Sequence, residues 1–318
     1  MSAGSRADGS TDAGAAPVGA PRIAVFGSVN MDLVAYVDEV PASGETVTGT
    51  AFRQVPGGKG ANQAVAAARA GAGVAFLGAV GGDAFGDELR ANLTAAGIGV
   101  SGLRTVPGVS GVAHIVVDGR GGNSIIVVPG ANGEVTGVVD EDAALIEGSA
   151  ALLLQLELPM EAVVAAARTG RGLGVPVYLT PAPARDLPAE LLESVDVLVP
   201  NQHEAAAITG RTDPHEALAA LLELVPEVLL TLGEDGSLHG RRGGETVAVP
   251  ARQVRAVDTT AAGDTFCGSF AVARAEGRAP AEAMAFAAAA ASLSVQRHGA
   301  SSSMPSRAEV EALLDGAV

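Results

Sequence analysis

The sequence predicts an α/β fold: a doubly wound, mostly parallel sheet flanked by helices, with a small β-sheet lid projecting from it. Two patterns lead there. Short apolar runs alternate with Ala-rich helical stretches along most of the chain, and strands separated by helices pair in parallel with helices on both faces. Residues 46–55 and 111–128 break that rhythm and read as antiparallel strands, which do not fit beside their sequence neighbours in a parallel sheet. A discontinuous lid from about 36–55 and 108–129 accommodates them.

The elements follow in order. Residues 1–21 are rich in Gly, Ala, Ser and Asp with little to bury, so a disordered tail is expected there, before one folded domain over 22–318. The first strand is Ile-Ala-Val-Phe at 23–26, and Gly27-Ser28 carries the chain on to Asn30 and Asp32. The lid hairpin has arms at 114–117 and 124–128 and turns at Asp118-Gly119-Arg120-Gly121-Gly122-Asn123. Apolar strands follow at 152–154, 175–179, 195–199 and 228–230, with helical segments at 160–168 and 214–224 between them. A last helical pattern runs on from Phe266. In such sheets ligands sit beyond the carboxyl ends of the strands. Polar residues gather there repeatedly: Asn30 and Asp32, then Glu157, Asn201 and Glu204, and Thr231 with Gly233.

Composition narrows the function. With 318 residues and 48% hydrophobic content, the chain can bury a sizeable core. A net charge of −16 argues against nucleic-acid or anionic-membrane partners, because phosphate groups would repel the surface. Aromatics are 3% with no Trp, which leaves few platforms for base stacking. There is no membrane-length apolar run and no signal-peptide pattern, and the single Cys267 fits a reducing cytoplasm. Cys267 itself reads as a small buried hydrophobe.

The most informative stretch is 256–266, Ala-Val-Asp-Thr-Thr-Ala-Ala-Gly-Asp-Thr-Phe. Small residues at a helix start let backbone N–H groups crowd around an anion. Asp264 puts a carboxylate beside that anion hole. Like charges repel, so the pair makes little sense for passive phosphate binding. It suits phosphoryl transfer, where a base takes a hydroxyl proton while N–H groups hold the moving charge. Other phosphate folds lack support: Gly57-Gly58-Lys59 is followed by Gly60 rather than Ser or Thr, and no dinucleotide fingerprint follows the first strand.

Residues 261–266, Ala-Ala-Gly-Asp-Thr-Phe, and 57–64, Gly-Gly-Lys-Gly-Ala-Asn-Gln-Ala, resemble the two signatures of the ribokinase branch of the PfkB-type carbohydrate kinases. The likeness runs from about Arg22 to the end in matching order. It implies a ribokinase-like fold with Asp264 as base and Gly263 in the anion hole. It implies a sugar pocket of Asn30, Asp32, Gly57, Gly58, Lys59, Gly60, Asn62 and Glu157, closed by Asp264. For ATP it implies Asn201, the loop Thr231-Leu232-Gly233-Glu234-Asp235-Gly236, and Gly263. Glu204 is implied to be associated with Mg²⁺. Asp258, Thr260, Ser294, Arg297, Gly299 and Ser303 are implied to hold a monovalent cation, K⁺, largely through backbone carbonyls. A homodimer through the lid is implied as well.

The resulting expectation is ATP-dependent phosphorylation of D-ribose at its primary hydroxyl. Alternatives are a kinase for 2-deoxyribose, another sugar or a nucleoside, or a non-catalytic sugar-sensing protein. The little aromatic content of the lid disfavours a nucleoside, and retention of Gly263 and Asp264 disfavours a sensor. Asn201-x-x-Glu204 is also a common helix-capping pattern. Relatives often carry Ser or Lys where Glu234 and Asp235 stand.

Overall fold

The computed structural model describes residues 19–120 and 122–316. Most of the expected N-terminal tail, and Gly121 of the hairpin turn, therefore lie outside the described residues. The strands are β1 Arg22–Phe26, β2 Asn30–Tyr36, β3 Ala51–Gly57, β4 Gly73–Gly81, β5 Gly99–Val106, β6 Gly111–Val117, β7 Asn123–Val128, β8 Ala151–Leu154, β9 Val177–Leu179, β10 Val197–Leu198, β11 Glu227–Thr231, β12 Ser237–Arg241 and β13 Val247–Val249. The helices are α1 Lys59–Arg69, α2 Ala84–Ala95, α3 Asp140–Ile146, α4 Met160–Gly172, α5 Ala189–Leu192, α6 Gln202–Thr209, α7 Pro214–Leu224, α8 Ala262–Ala275, α9 Pro280–Ser294 and α10 Arg307–Leu314.

Nine strands form the main sheet in the order β13-β12-β11-β10-β9-β8-β1-β4-β5. All pair in parallel except β12 and β13, which close one edge antiparallel. Along β1 the side chains alternate between two apolar layers. Ile23 and Val25 join the core under α1, α8 and α9, while Ala24 and Phe26 join the core under α3, α4 and α7. Both faces are thus covered, which explains why these strands read as unbroken apolar runs. The chain winds outward from β1 in one direction through β4 and β5, then in the other through β8 to β11. The crevice beyond β1 and β8 is the switch point where such sheets place ligands.

The small sheet has the order β3-β2-β6-β7. Two differences from the sequence reading matter. Asn30 and Asp32 lie at the start of strand β2 of this sheet, so the sheet starts earlier in the chain than residue 36. Residues 46–50 form no strand, because β2 ends at Tyr36, whose partner is Ala51, and nothing remains for them to pair with. The expected strands at 175–179 and 195–199 shorten to three and two residues. Four strands passed over in the sequence, β4, β5, β12 and β13, complete the main sheet.

Two close approaches set the crevice. Gly27, after β1, faces Gly60 in the first turn of α1; a Cβ on Gly60 would lie 2.7 Å from Gly27 C and Ser28 N. Gly268 of α8 meets α1 in the same way, its missing Cβ standing 2.7 Å from the Ala66 Cβ and from Gln63 O. Backbone therefore packs on backbone, and the N-terminal turns of α1 and α8 come together. Gly60→Ala should cost about 1–3 kcal/mol of stability, because the clash is with main chain that has no rotamer to change. Chemical denaturation reads this directly, and a loss below about 0.5 kcal/mol would show that the contact relaxes freely.

Candidate active site

Helix α8 begins from an unusual residue. Ala261 is its N-cap at φ 58°, the one non-glycine among the described residues with positive φ. Left-handed backbone in a residue with a Cβ costs of order 1 kcal/mol and marks places where geometry is imposed by function. No side chain caps this end. The N–H groups of Gly263 and Asp264 find no acceptor among the described residues. A Cβ built on exposed Gly263 would meet nothing within 4 Å. The protein's own packing gives no reason for a glycine there, so the space in front of it is open to a ligand.

Asp264, one residue on, is 7% exposed. Its Oδ2 accepts from Asn62 Nδ2 and its Oδ1 from Gln63 Nε2, both at 3.1 Å. Burial raises its pKa; Lys59 and the two amide donors pull the other way without cancelling the rise. Burial likewise opposes the charge on Lys59, yet Asp264, Glu157 and Glu204 together outweigh it and leave the ammonium firmly protonated. Lys59 is the cation among three carboxylates. Asn62 Oδ1 is buried with no partner, an acceptor held ready beside the carboxylate.

The expected sugar residues adjoin this point. Glu157 Oε2 accepts from Lys59 N at 2.9 Å and from Ser28 Oγ at 2.5 Å. Asp32 lies where a Gly57 side chain would be, a Cβ there falling 2.3 Å from Asp32 Oδ2. Gly58 has φ 93°, and its Cβ would sit 2.8 Å from Val29 Cα, so the turn entering α1 admits only glycine. Burial, and then the charge of Glu157, push the Asp32 pKa up to about 7. Asn30 Oδ1 accepts from Asn132 Nδ2 at 2.7 Å.

At the neighbouring strand ends, Asn201 and Thr231 form an isolated parallel bridge. Asn201 and Glu204 form a reciprocal capping box on α6: Glu204 accepts from Asn201 N and Nδ2 at 2.8 Å, and Asn201 Oδ1 accepts from Glu204 N. Burial raises the Glu204 pKa, while the Asn201 hydrogen bond and Lys59 lower it in part. Leu232 O accepts from Gln202 Nε2, and a 3₁₀ turn at Gly233–Asp235 ends at Gly236, φ 102°. Glu234 and Asp235 are exposed to solvent.

The remaining expected residues cluster behind α8. Asp258 accepts from Thr260 N and Gly299 N, each at 2.9 Å, tying two loops together. The Ser294 and Ser303 hydroxyls bond each other at 2.9 Å, and Thr265 Oγ1 reaches Ser294. Arg297 turns its guanidinium to Glu309. Sequence reasoning passed over Ser28, Gln63, Asn132, Gln155 and Thr180. Gln63 stood inside a quoted motif and could have been taken with Asn62; the others carry no local signal. A separate cavity of ≈ 710 Å³, lined partly by Arg171, Ser194, Glu223 and Arg242, lies at the opposite strand ends and holds none of these groups.

Comparison with known proteins agrees with this geometry. Residues 20–307 match the model of the pfkB family carbohydrate kinases. The chain is 45% identical to ribokinase of Bacillus subtilis, over 92% of this chain and 99% of that one. It is 40% identical to deoxyribokinase of Salmonella typhi, over 89% and 95%. The structure of Arabidopsis thaliana ribokinase complexed with ribose and ATP superposes with a TM-score of 0.88 at 36% identity, covering 93% of this chain and 99% of that one. With the family match spanning nearly the whole described chain, the protein belongs to the pfkB carbohydrate kinases.

Proposed function

We propose that the protein transfers the γ-phosphoryl group of ATP to the 5-hydroxyl of D-ribose, giving D-ribose 5-phosphate and ADP. One observation carries this reading: a buried carboxylate, Asp264, stands beside unpaired N–H groups at an open helix mouth and next to a wall of hydroxyl-binding groups. In the reaction the 5-oxygen attacks phosphorus, its proton passes to Asp264, and the bond to the ADP oxygen breaks. The N–H groups of Gly263 and Asp264 hold the transferred phosphoryl oxygens, fixed in place before the charge arrives.

Asn30, Asp32, Gly57, Gly58, Lys59, Gly60, Asn62 and Glu157 form the sugar side. Asn201, Thr231 and the backbone of 232–236 take the nucleotide. Glu204 fits an Mg²⁺ ion through water, because Asn201 already engages both its oxygens and only further lone pairs are open. Bound there, Mg²⁺ would screen the nucleotide phosphates. The Asp258, Thr260, Ser294, Arg297, Gly299 and Ser303 loops fit K⁺ through their carbonyls, since the Asp258 and serine side chains are satisfied internally. A bound K⁺ would stiffen the loop leading into Ala261.

The small sheet serves as a lid over the sugar and as the contact of a homodimer. Its edge strand β7 leaves Ile125, Ile126, Val127 and Val128 exposed, an apolar edge that a second copy would cover. A cytoplasmic location rests on the single reduced, buried Cys267.

A coupled ADP-release assay over several sugars tests the substrate. Ribose should give the highest kcat/KM, and 2-deoxyribose should fall below it by about tenfold or more where a hydroxyl-binding group is left unpaired. Turnover with another sugar but none with ribose would sink the assignment. Asp264→Asn should lower kcat by about a hundredfold or more with ribose binding retained, and unchanged turnover would remove Asp264 from the base role.

Gly263→Ala separates packing from ligand binding. The added methyl meets no protein atom and improves helix propensity, so the melting temperature should hold or rise slightly. Turnover should nonetheless drop by about tenfold or more, because the methyl enters the anion space. Wild-type kinetics in this variant would show that no phosphoryl group approaches there.

Asp32 makes stability depend on pH. Its folded pKa of about 7 lies above its ordinary value of 3.8, so the folded state holds the proton longer than the unfolded chain. Its contribution is therefore intact at low pH, declines as pH rises from about 4 to about 7, and stays lost above that. Asp32→Asn should raise the melting temperature at ~pH 8, leave it near wild type at ~pH 4, and weaken ribose binding at both. A stability gain independent of pH would refute the assignment of that proton to Asp32.

A further inference from the structure

One hold on the Asp264 carboxylate is the end of a longer chain of hydrogen bonds. Gln155 Nε2 donates to Gln63 Oε1 at 2.7 Å. Gln63 Nε2 then donates to Asp264 Oδ1 and to Thr180 Oγ1, both at 3.1 Å. Thr180 Oγ1 in turn donates to Cys267 Sγ at 3.4 Å. Both glutamines are sealed from solvent, Gln63 at 0% and Gln155 at 1% exposure. Every donor in the chain points the same way.

That direction has a physical consequence. An isolated glutamine amide can exchange its oxygen and nitrogen by a half-turn with almost no change in shape. Here the half-turn would set the Gln63 NH₂ against the Gln155 NH₂ and the Gln63 carbonyl against the Asp264 carboxylate. The bonds to Gln155 and Asp264 would be lost, Thr180 would lose its donor, and an acceptor would face an anion. The Asp264 acceptor sets which end of Gln63 it meets, and Gln155 braces the opposite end of the same amide. The fold makes room for it at a cost: a Cβ on Gly27 would lie 2.1 Å from Gln155 Oε1, and that oxygen is itself buried without a partner. Apolar packing would not retain such a pair of amides.

Taking Asp264 as the base, we propose that Gln63 and Gln155 are positioning residues, Gln155 bracing the Gln63 amide through its oxygen and Gln63 holding the Asp264 carboxylate in its reactive orientation. Neither touches the reacting atoms. Alignment of the base governs the rate of proton transfer rather than the binding of the sugar. The donated N–H also favours the ionised carboxylate over the protonated one. The other groups facing Asp264 are Lys59 on α1, Glu157 beyond β8, Glu204 on α6 and Cys267 on α8 itself. Lys59, Glu157 and Glu204 share no hydrogen bond with either glutamine among the described residues, and Cys267 meets Gln63 only through Thr180.

Gln63→Met, Gln155→Met and the double variant, assayed with ribose and ATP from acid to neutral pH, test the relay. Gln63→Met should lower kcat by about tenfold or more, leave the ribose KM within about threefold, and move the acid limb of the kcat profile to higher pH. Gln155→Met should do the same to a lesser degree. The double variant should be no worse than Gln63→Met alone, since Gln155 acts only through Gln63. A merely structural role predicts additive losses and an unmoved acid limb, and either result overturns the proposal. If Gln63→Met does not fold, Thr180→Val joins Gln155→Met as the test, with Thr180→Ser expected to restore activity; wild-type kcat in both Thr180→Val and Gln155→Met overturns it. Asp264→Asn run alongside separates the two ideas. Normal turnover there removes the base itself, whereas an inactive Asp264→Asn beside a wild-type Gln63→Met removes only the relay.

Discussion

The site depends on a carboxylate kept out of water at the meeting of two helices. Asp264 belongs to α8, but both of its oxygens are held by α1, through Asn62 and Gln63. That crossing exists because Gly268 lets the two backbones approach, and because Gly27 and Gly60 seat the start of α1 against the loop after β1. Burial raises its pKa above that of a solvated aspartate, while Lys59 and the two amides oppose that rise.

The small sheet enters the site through its first residues rather than its tip. Strand β2 starts at Asn30, so the side chains of Asn30 and Asp32 are rooted in the separate sheet while Glu157 and Asp264 are rooted in the main fold. Asn132 bridges the two, accepting from Val29 N and donating to Val29 O and to Asn30 Oδ1. Gly111 permits this, as a Cβ there would strike both Asn132 Nδ2 and Asn30 Oδ1. Movement of the small sheet would therefore displace the Asn30 and Asp32 side chains directly. On the proposed function, this links closure of a lid to assembly of the sugar pocket without any intermediate hinge element.

Much of this was legible in the chain. Apolar runs announced β1, β8 and β11 because parallel strands covered on both faces need apolar residues at every position. The 256–266 stretch announced the open start of α8 beside a carboxylate, because small residues and an acid rarely share a helix start for packing reasons alone. The opposite held for Thr46 to Thr50, where β-branched residues promised a strand that lacks a partner. Propensity describes a residue's fit to a pleated surface and cannot supply the neighbouring ladder. Gln155 and Asn132 were invisible for a related reason. Their roles come from hydrogen bonds to residues 92 to 103 positions away, and nothing in their immediate surroundings marks them.

The charge balance decides which groups can receive the nucleotide. Glu157, Asp264 and Glu204 act on a single Lys59, and Asp32 adds a further acid beside Glu157, in a protein whose net charge is −16. A polyphosphate entering such a field meets repulsion that one ammonium, already shared among three carboxylates, does not offset. Attraction must come from groups that the acids do not consume. The unpaired N–H groups of Gly263 and Asp264 are of that kind, since the α8 dipole adds to them and no carboxylate accepts from them. The proton held on Asp32 up to about pH 7 removes one further negative charge from the sugar side. A divalent cation near Glu204 would remove more where the nucleotide lies. On the proposed function, the acidic cluster is suited to abstracting a proton only when the anion is delivered already screened, which would couple the sugar chemistry to the arrival of a metal-bound nucleotide rather than to the sugar alone.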